Sequence, residues 1–85
     1  MADYQINIEK TAAKSLQKIP KSDQAKIINA IQPLAHNPRP SGCKKLVGRD
    51  GWRIRIGNYR VIYEINDGQL RILIIEIGHR KEIYR

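Results

Sequence analysis

Trp52-Arg53-Ile54-Arg55-Ile56-Gly57-Asn58-Tyr59-Arg60-Val61-Ile62-Tyr63 is the stretch that decides the fold. Apolar and basic residues alternate with a period of two before Gly57-Asn58 and the apolar side resumes after it, the pattern of two half-buried strands joined by a two-residue hairpin turn. Such a turn opposes Ile56 to Tyr59, Arg55 to Arg60, Ile54 to Val61 and Arg53 to Ile62. One face then carries Trp52, Ile54, Ile56, Tyr59, Val61, Tyr63 and Ile65, an apolar surface that needs a cover. The other face carries Arg53, Arg55 and Arg60 and is expected to lie outermost.

The pattern continues on both sides of this hairpin. Tyr59 to Ile65 turns at Asp67-Gly68 into a strand from Gln69 to Ile77 that ends at Gly78, and a two-residue turn there would oppose Glu64 to Arg71. Upstream, a strand near Lys44 to Val47 turns at Gly48 to Gly51. The cover comes from the first half of the chain. After a short strand, Tyr4 to Ile8, the period lengthens: Ala12, Leu16 and Ile19 share one helix face, and Lys10, Lys14 and Lys18 line another. Pro20 stops this helix, and Ser22 or Asp23 can cap a second one whose stripe is Ala25, Ile28, Ile31 and Leu34. Pro33 is expected to kink it, and His36-Asn37-Pro38-Arg39-Pro40 ends it. The expectation is a single α+β domain over residues 1–85. An N-terminal strand and a helical hairpin precede an antiparallel β-meander, with one twisted sheet carrying the helices on one face.

Composition narrows the function. The 85 residues hold 15 isoleucines, no Phe and one Trp, so the core is β-branched aliphatic and suited to a sheet. No apolar run approaches a membrane span and no secretory leader is visible, which points to a cytoplasmic protein with no membrane partner. Cys43 stands alone, and His36 and His79 lie far apart in the chain without acids at ligand spacing. We therefore expect no metal and no cofactor. The net charge is +8. Residues 39–60 hold Arg39, Lys44, Lys45, Arg49, Arg53, Arg55 and Arg60 against Asp50 alone, a net +6, so the basicity is local and an anionic partner is expected.

Opposed arginines destabilise a hairpin, and a polyanion relieves them. The competing reading makes them the solvated side of an amphipathic sheet, a role Lys and Glu would fill equally well; guanidinium forks match phosphate geometry. Metal-free RNA cleavage by the neighbouring 2′-hydroxyl needs cations for the phosphorane charge, plus a base and an acid. Arginines supply only the cations. The proton carriers are sought among His79, Tyr84, Tyr59, Lys81 and Glu82, with His79 and Tyr84 leading. The tail His79 to Arg85 either folds back beside the arginine face or is simply a polar terminus.

The strand, hairpin and meander order, Asn37-Pro38-Arg39-Pro40, the segment from Trp52 to Tyr63 and the ending Gly78-His79-Arg80-Lys81-Glu82-Ile83-Tyr84 together resemble the RelE branch of the RelE/ParE toxin superfamily. The resemblance implies a toxin of a type II toxin–antitoxin system: a ribosome-dependent endoribonuclease (mRNA interferase) that cuts mRNA in the ribosomal A site and inhibits translation. It implies a cognate RelB-like antitoxin as partner, with operator DNA bound only by the toxin–antitoxin complex. It places Arg53 and Arg55 where relatives carry RNA-binding lysines, which keeps phosphate clamping but not base catalysis. Arg60 matches the arginine that stabilises the transition state, Arg80 the second catalytic arginine, and Tyr84 the tyrosine that orients substrate. His79 fills a position that is commonly Lys or His and is expected to share proton transfer with Tyr84. Lys44, Lys45, Arg49 and Lys81 extend the RNA-binding set. Two alternatives remain: a ParE-like poison of DNA gyrase on the same fold, and a non-enzymatic RNA- or ribosome-binding module.

Overall fold

The computed structural model describes residues 3–79. Its elements are β1 (Gln5–Ile8), α1 (Lys10–Gln17), α2 (Lys21–Ile31), a 3-10 turn (Gln32–Ala35), β2 (Lys44–Lys45), β3 (Trp52–Ile56), β4 (Tyr59–Asn66) and β5 (Arg71–His79). The strands form one five-stranded sheet in the order β1-β5-β4-β3-β2. The expected α+β architecture is thus the observed one.

The β3–β4 hairpin forms in the register its sequence dictates, Ile56 opposite Tyr59 and Arg55 opposite Arg60. Gly57 opens the turn with φ +58°, a left-handed conformation that glycine adopts without steric cost. The next hairpin differs from expectation. Asn66, not Glu64, opposes Arg71, and Glu64 faces Leu73. A longer loop separates the strands because the Asn66 side chain accepts a hydrogen bond from the Gln69 amide at 2.9 Å and Leu70 takes up the left-handed conformation, φ +54°.

Farther along β5 the ladder slips. Ile62 opposes Glu76 while Tyr63 opposes Ile74, which leaves Ile75 as the extra residue of a β-bulge. β1 adds to the free edge of β5 in parallel, Gln5 beside Arg71 through Ile8 beside Ile74.

The helices cover one face of this sheet. Ala12 and Leu16 of α1 and Ile27 and Ile31 of α2 meet Ile54, Val61, Tyr63, Ile72, Ile74 and Ile77 in a single core. Of the expected stripe Ile31 and Leu34 are buried, but Ile27 takes the place of Ile28, which is 37% exposed, and Ala25 is exposed as well. Ile27 and Ile28 are adjacent apolar residues, so periodicity alone fits either to the core. Pro20, not Ser22 or Asp23, is the N-cap residue of α2. The Gln24 side chain ties the helical corner together by donating to the Ile19 carbonyl at 2.7 Å. Pro33 does not bend the helix; α2 ends at Ile31 and the chain tightens into the 3-10 turn around it.

Candidate functional site

The sheet face turned away from the helices carries the basic residues. Lys44 stands opposite Arg53 and Arg55 opposite Arg60, and Arg60 in turn lies opposite Gly78 of β5. Alternation along the strands places Lys44, Arg53, Arg55 and Arg60 on this one side. Arg55 is exposed and Arg53 half-buried, but Arg60 is only 2% exposed. The expectation of an outermost arginine face is therefore corrected for Arg60. It sits in β4, the central strand, with Arg55 on one flank and a residue without a side chain on the other. A cavity of about 20 Å³ lined by Arg55, Gly57, Tyr59 and Arg60 opens beside it.

Arg49 joins this face from the loop between β2 and β3. Its guanidinium lies 3.7 Å from a carboxylate oxygen of Glu76 in β5, so the side chains reach toward each other across the two strands between them. No motif in the sequence singles out Glu76. It interrupts the isoleucine run of β5 as a visible acid, yet only the bulge assigns it to the basic face.

The same bulge decides where His79 goes. Ile72 and Ile74 point into the core, and strict alternation from them would send Ile77 and His79 to the basic face. The extra residue Ile75 reverses the parity, so Ile77 is buried in the core and His79 turns to the helix side. There its ring meets Tyr59 edge-on, with centroids 5.8 Å apart and planes at 81°. The Tyr59 hydroxyl donates to Asp23 of α2 at 2.9 Å, and this bond to a carboxylate raises its pKa above that of a free phenol. Tyr59 and His79 thus lie on the opposite side of the sheet from Arg53, Arg55 and Arg60. Arg80, Lys81 and Tyr84 lie outside the described residues.

A second polar cluster occupies the far end of the sheet. Lys45 opposes Trp52, and its ammonium lies 5.7 Å from the indole centroid, with the Arg39 guanidinium 5.0 Å from the same ring. Both are cation–π distances. Arg39 donates to Asp67 at 2.9 Å and Tyr4 to the same carboxylate at 2.5 Å. These bonds, that of Arg39 foremost, hold the Asp67 pKa below the ordinary carboxylate range. Behind them the buried Tyr63 hydroxyl donates to the Pro38 carbonyl at 2.7 Å, and burial pushes the phenol's pKa up. A cleft of about 590 Å³ opens at this end, lined by Arg39, Lys45, Trp52 and Asp67 among others. Lys45 therefore stands apart from Lys44 and the arginines, although the two lysines are neighbours in sequence.

Chemically, the basic face offers exposed cations for a phosphate chain and one guanidinium held in a low-dielectric setting, where its field is strongest. Arginine keeps its charge there.

A family model described as the ParE toxin of type II toxin–antitoxin systems matches residues 6–84. The toxin RelE of Mycobacterium tuberculosis is 37% identical over 84 residues, covering 96% of this chain and 87% of its own. Among solved structures, the archaeal RelE–RelB complex from Pyrococcus horikoshii superposes with a TM-score of 0.82 at 32% identity, over 92% of this chain and 96% of the matched one. The RelB–RelE antitoxin–toxin complex from Methanococcus jannaschii does so with a TM-score of 0.70 at 30% identity, over 91% and 93%.

Proposed function

Because this chain belongs to the ParE toxin family of type II toxin–antitoxin systems and is similar to RelE toxins, we propose that it is a ribosome-dependent, metal-independent endoribonuclease. It cleaves mRNA in the ribosomal A site, in the cytoplasm, and is held inactive by a RelB-like antitoxin. The observation that carries this reading is Arg60. Arg60 is 2% exposed at the centre of the basic face, directly opposite Arg55, and taking a guanidinium out of water costs several kcal/mol. The cost is understandable where the charge meets an anionic transition state.

In the proposed reaction the 2′-hydroxyl of the nucleotide preceding the cut attacks phosphorus. The bond to the 5′-oxygen breaks, leaving a 2′,3′-cyclic phosphate and a free 5′-hydroxyl. Lys44, Arg53 and Arg55 hold the backbone phosphates, and Arg49 joins them where RNA displaces Glu76. Arg60 stabilises the equatorial oxygens of the phosphorane, and Arg80 stabilises the departing oxygen. Proton transfer falls to Tyr84. The placement of His79 against Tyr59 argues against sharing that role, so a pH–rate profile of His79→Ala parallel to that of wild type is expected. The RelE–RelB complexes of the archaeal relatives support a RelB-like partner here, and operator DNA is then bound only through the toxin–antitoxin complex.

Primer extension on mRNA held in purified ribosomes with an empty A site tests the proposal. Cuts confined to the A-site codon are expected, slowed about 100- to 1,000-fold by Arg60→Lys, Arg80→Ala or Tyr84→Phe, the range for loss of one transition-state donor or one proton carrier. Intact message at saturating active protein overturns it. Gyrase inhibition in a supercoiling assay, or ribosome binding without cleavage, would then identify the ParE-like poison or the simple binding module.

A further inference from the structure

Asp23, Tyr59 and His79 form a connected set that the proposed chemistry leaves unused. The Tyr59 hydroxyl joins the first residue of β4 to the first turn of α2 through its 2.9 Å bond to Asp23. The Tyr59 ring also supports His79, its direct partner across the β4–β5 ladder, through the edge-on contact. Two cavities share this ring pair in their walls. One of about 220 Å³ is bounded by Asp23, Lys26, Asn58, Tyr59 and His79, and one of about 380 Å³ by Lys18, Ile19, Tyr59 and His79. The inner side of the Tyr59 ring packs against the hydrophobic core, while its hydroxyl end reaches past the core to Asp23. The hydroxyl bond holds the outer end of the ring, and the ring is one of the contacts that orient His79. The next residue in the chain is Arg80.

We propose that Asp23 and Tyr59 are positioning residues: Asp23 fixes the Tyr59 ring, and the ring fixes His79 and with it the strand end from which the Arg80 to Tyr84 segment departs. The catalytic consequence rests on the nuclease reading above; the mechanical one does not. Neither residue touches RNA in this scheme. Their effect is exerted through the placement of Arg80 and Tyr84, where an error of about 1 Å costs on the order of 100-fold in rate.

Two measurements on the full-length toxin test the inference. The first is amide hydrogen exchange at Gly78 and His79 in the free protein. The second is single-turnover A-site cleavage at saturating ribosomes, together with the ribosome concentration giving half saturation. Tyr59→Leu is expected to speed exchange at Gly78 and His79 while Ile72 and Ile74 of the same strand keep their protection. Cleavage should slow about 10- to 100-fold with half saturation unchanged, the signature of misplacement and not of weakened binding. Asp23→Ala should act in the same direction, and Asp23→Asn, which retains an acceptor for the hydroxyl, should restore wild-type behaviour in both assays. Should Tyr59→Leu fail to fold, the two Asp23 variants decide the matter. Unchanged exchange in Asp23→Ala overturns the mechanical link. Cleavage at the wild-type rate in Tyr59→Leu and Asp23→Ala overturns the catalytic one. A wild-type protein that does not cut defeats the nuclease reading and the catalytic consequence together, while the exchange data still decide whether the latch exists.

Discussion

The Tyr63 phenol and the Pro38 carbonyl are buried together, so each depends on the other for the hydrogen bond that water would otherwise supply. Removing the hydroxyl in Tyr63→Phe leaves that carbonyl without its donor, a loss of about 1–3 kcal/mol. Equilibrium urea unfolding should show a lower midpoint with an unchanged slope. At this scale the sequence is informative about residue type and silent about environment. Alternation places Arg53, Arg55 and Arg60 on one face correctly. It does not distinguish the exposed Arg55 from the buried Arg60, because burial depends on which strand is central, and strand order is not written in any local pattern. His79 illustrates the opposite case. Its chemistry is evident from its imidazole, but a single extra residue, Ile75, turns it to the other side of the sheet.

The β3–β4 hairpin is the most legible element because its turn and its alternation specify the same register. A methyl group added at Gly57 would meet nothing within 4 Å beyond its chain neighbours, so Gly57→Ala incurs only the backbone penalty of a left-handed conformation. A loss of about 1–2 kcal/mol is expected, read from thermal or urea unfolding. The β4–β5 connection is less legible because its geometry depends on the Asn66 side chain and on Leu70, which carries no recognisable turn signal. The loop it forms is anchored to Arg39 and Tyr4 through Asp67. The folded-state pKa of Asp67 lies below its unfolded one. Its stabilisation is therefore complete above the unfolded value and is lost as pH falls toward the folded one. The stability difference between wild type and Asp67→Asn should be constant from neutrality to about pH 5 and shrink below about pH 4, where an ordinary aspartate protonates. A difference that stays constant into the acid range would remove Asp67 from this role.

Across the whole molecule, the charge of +8 predicts strongly salt-dependent binding of single-stranded RNA. With an uncleavable oligonucleotide carrying 2′-deoxy sugars, Lys44→Ala and Arg55→Ala should each reduce the log–log salt slope by about 0.7, the value for one lost phosphate contact on a single strand. Lys45→Ala should leave the slope unchanged, since its ammonium faces Trp52; a reduction there would place RNA at the far end of the sheet as well. The helical hairpin and meander are readable from sequence as separate blocks, whereas the pairing that joins them is not, because the parallel ladder of β1 with β5 links residues far apart in the chain. That pairing also bears on the order of assembly. β5 is the last described strand to be synthesised, yet it lies between β1 and β4, so a nascent chain that has not reached Arg71 has nothing to bridge its first strand to its meander. Such distant pairing is slow to form. The ribosome translating this message therefore releases most of the polypeptide before a complete sheet can exist.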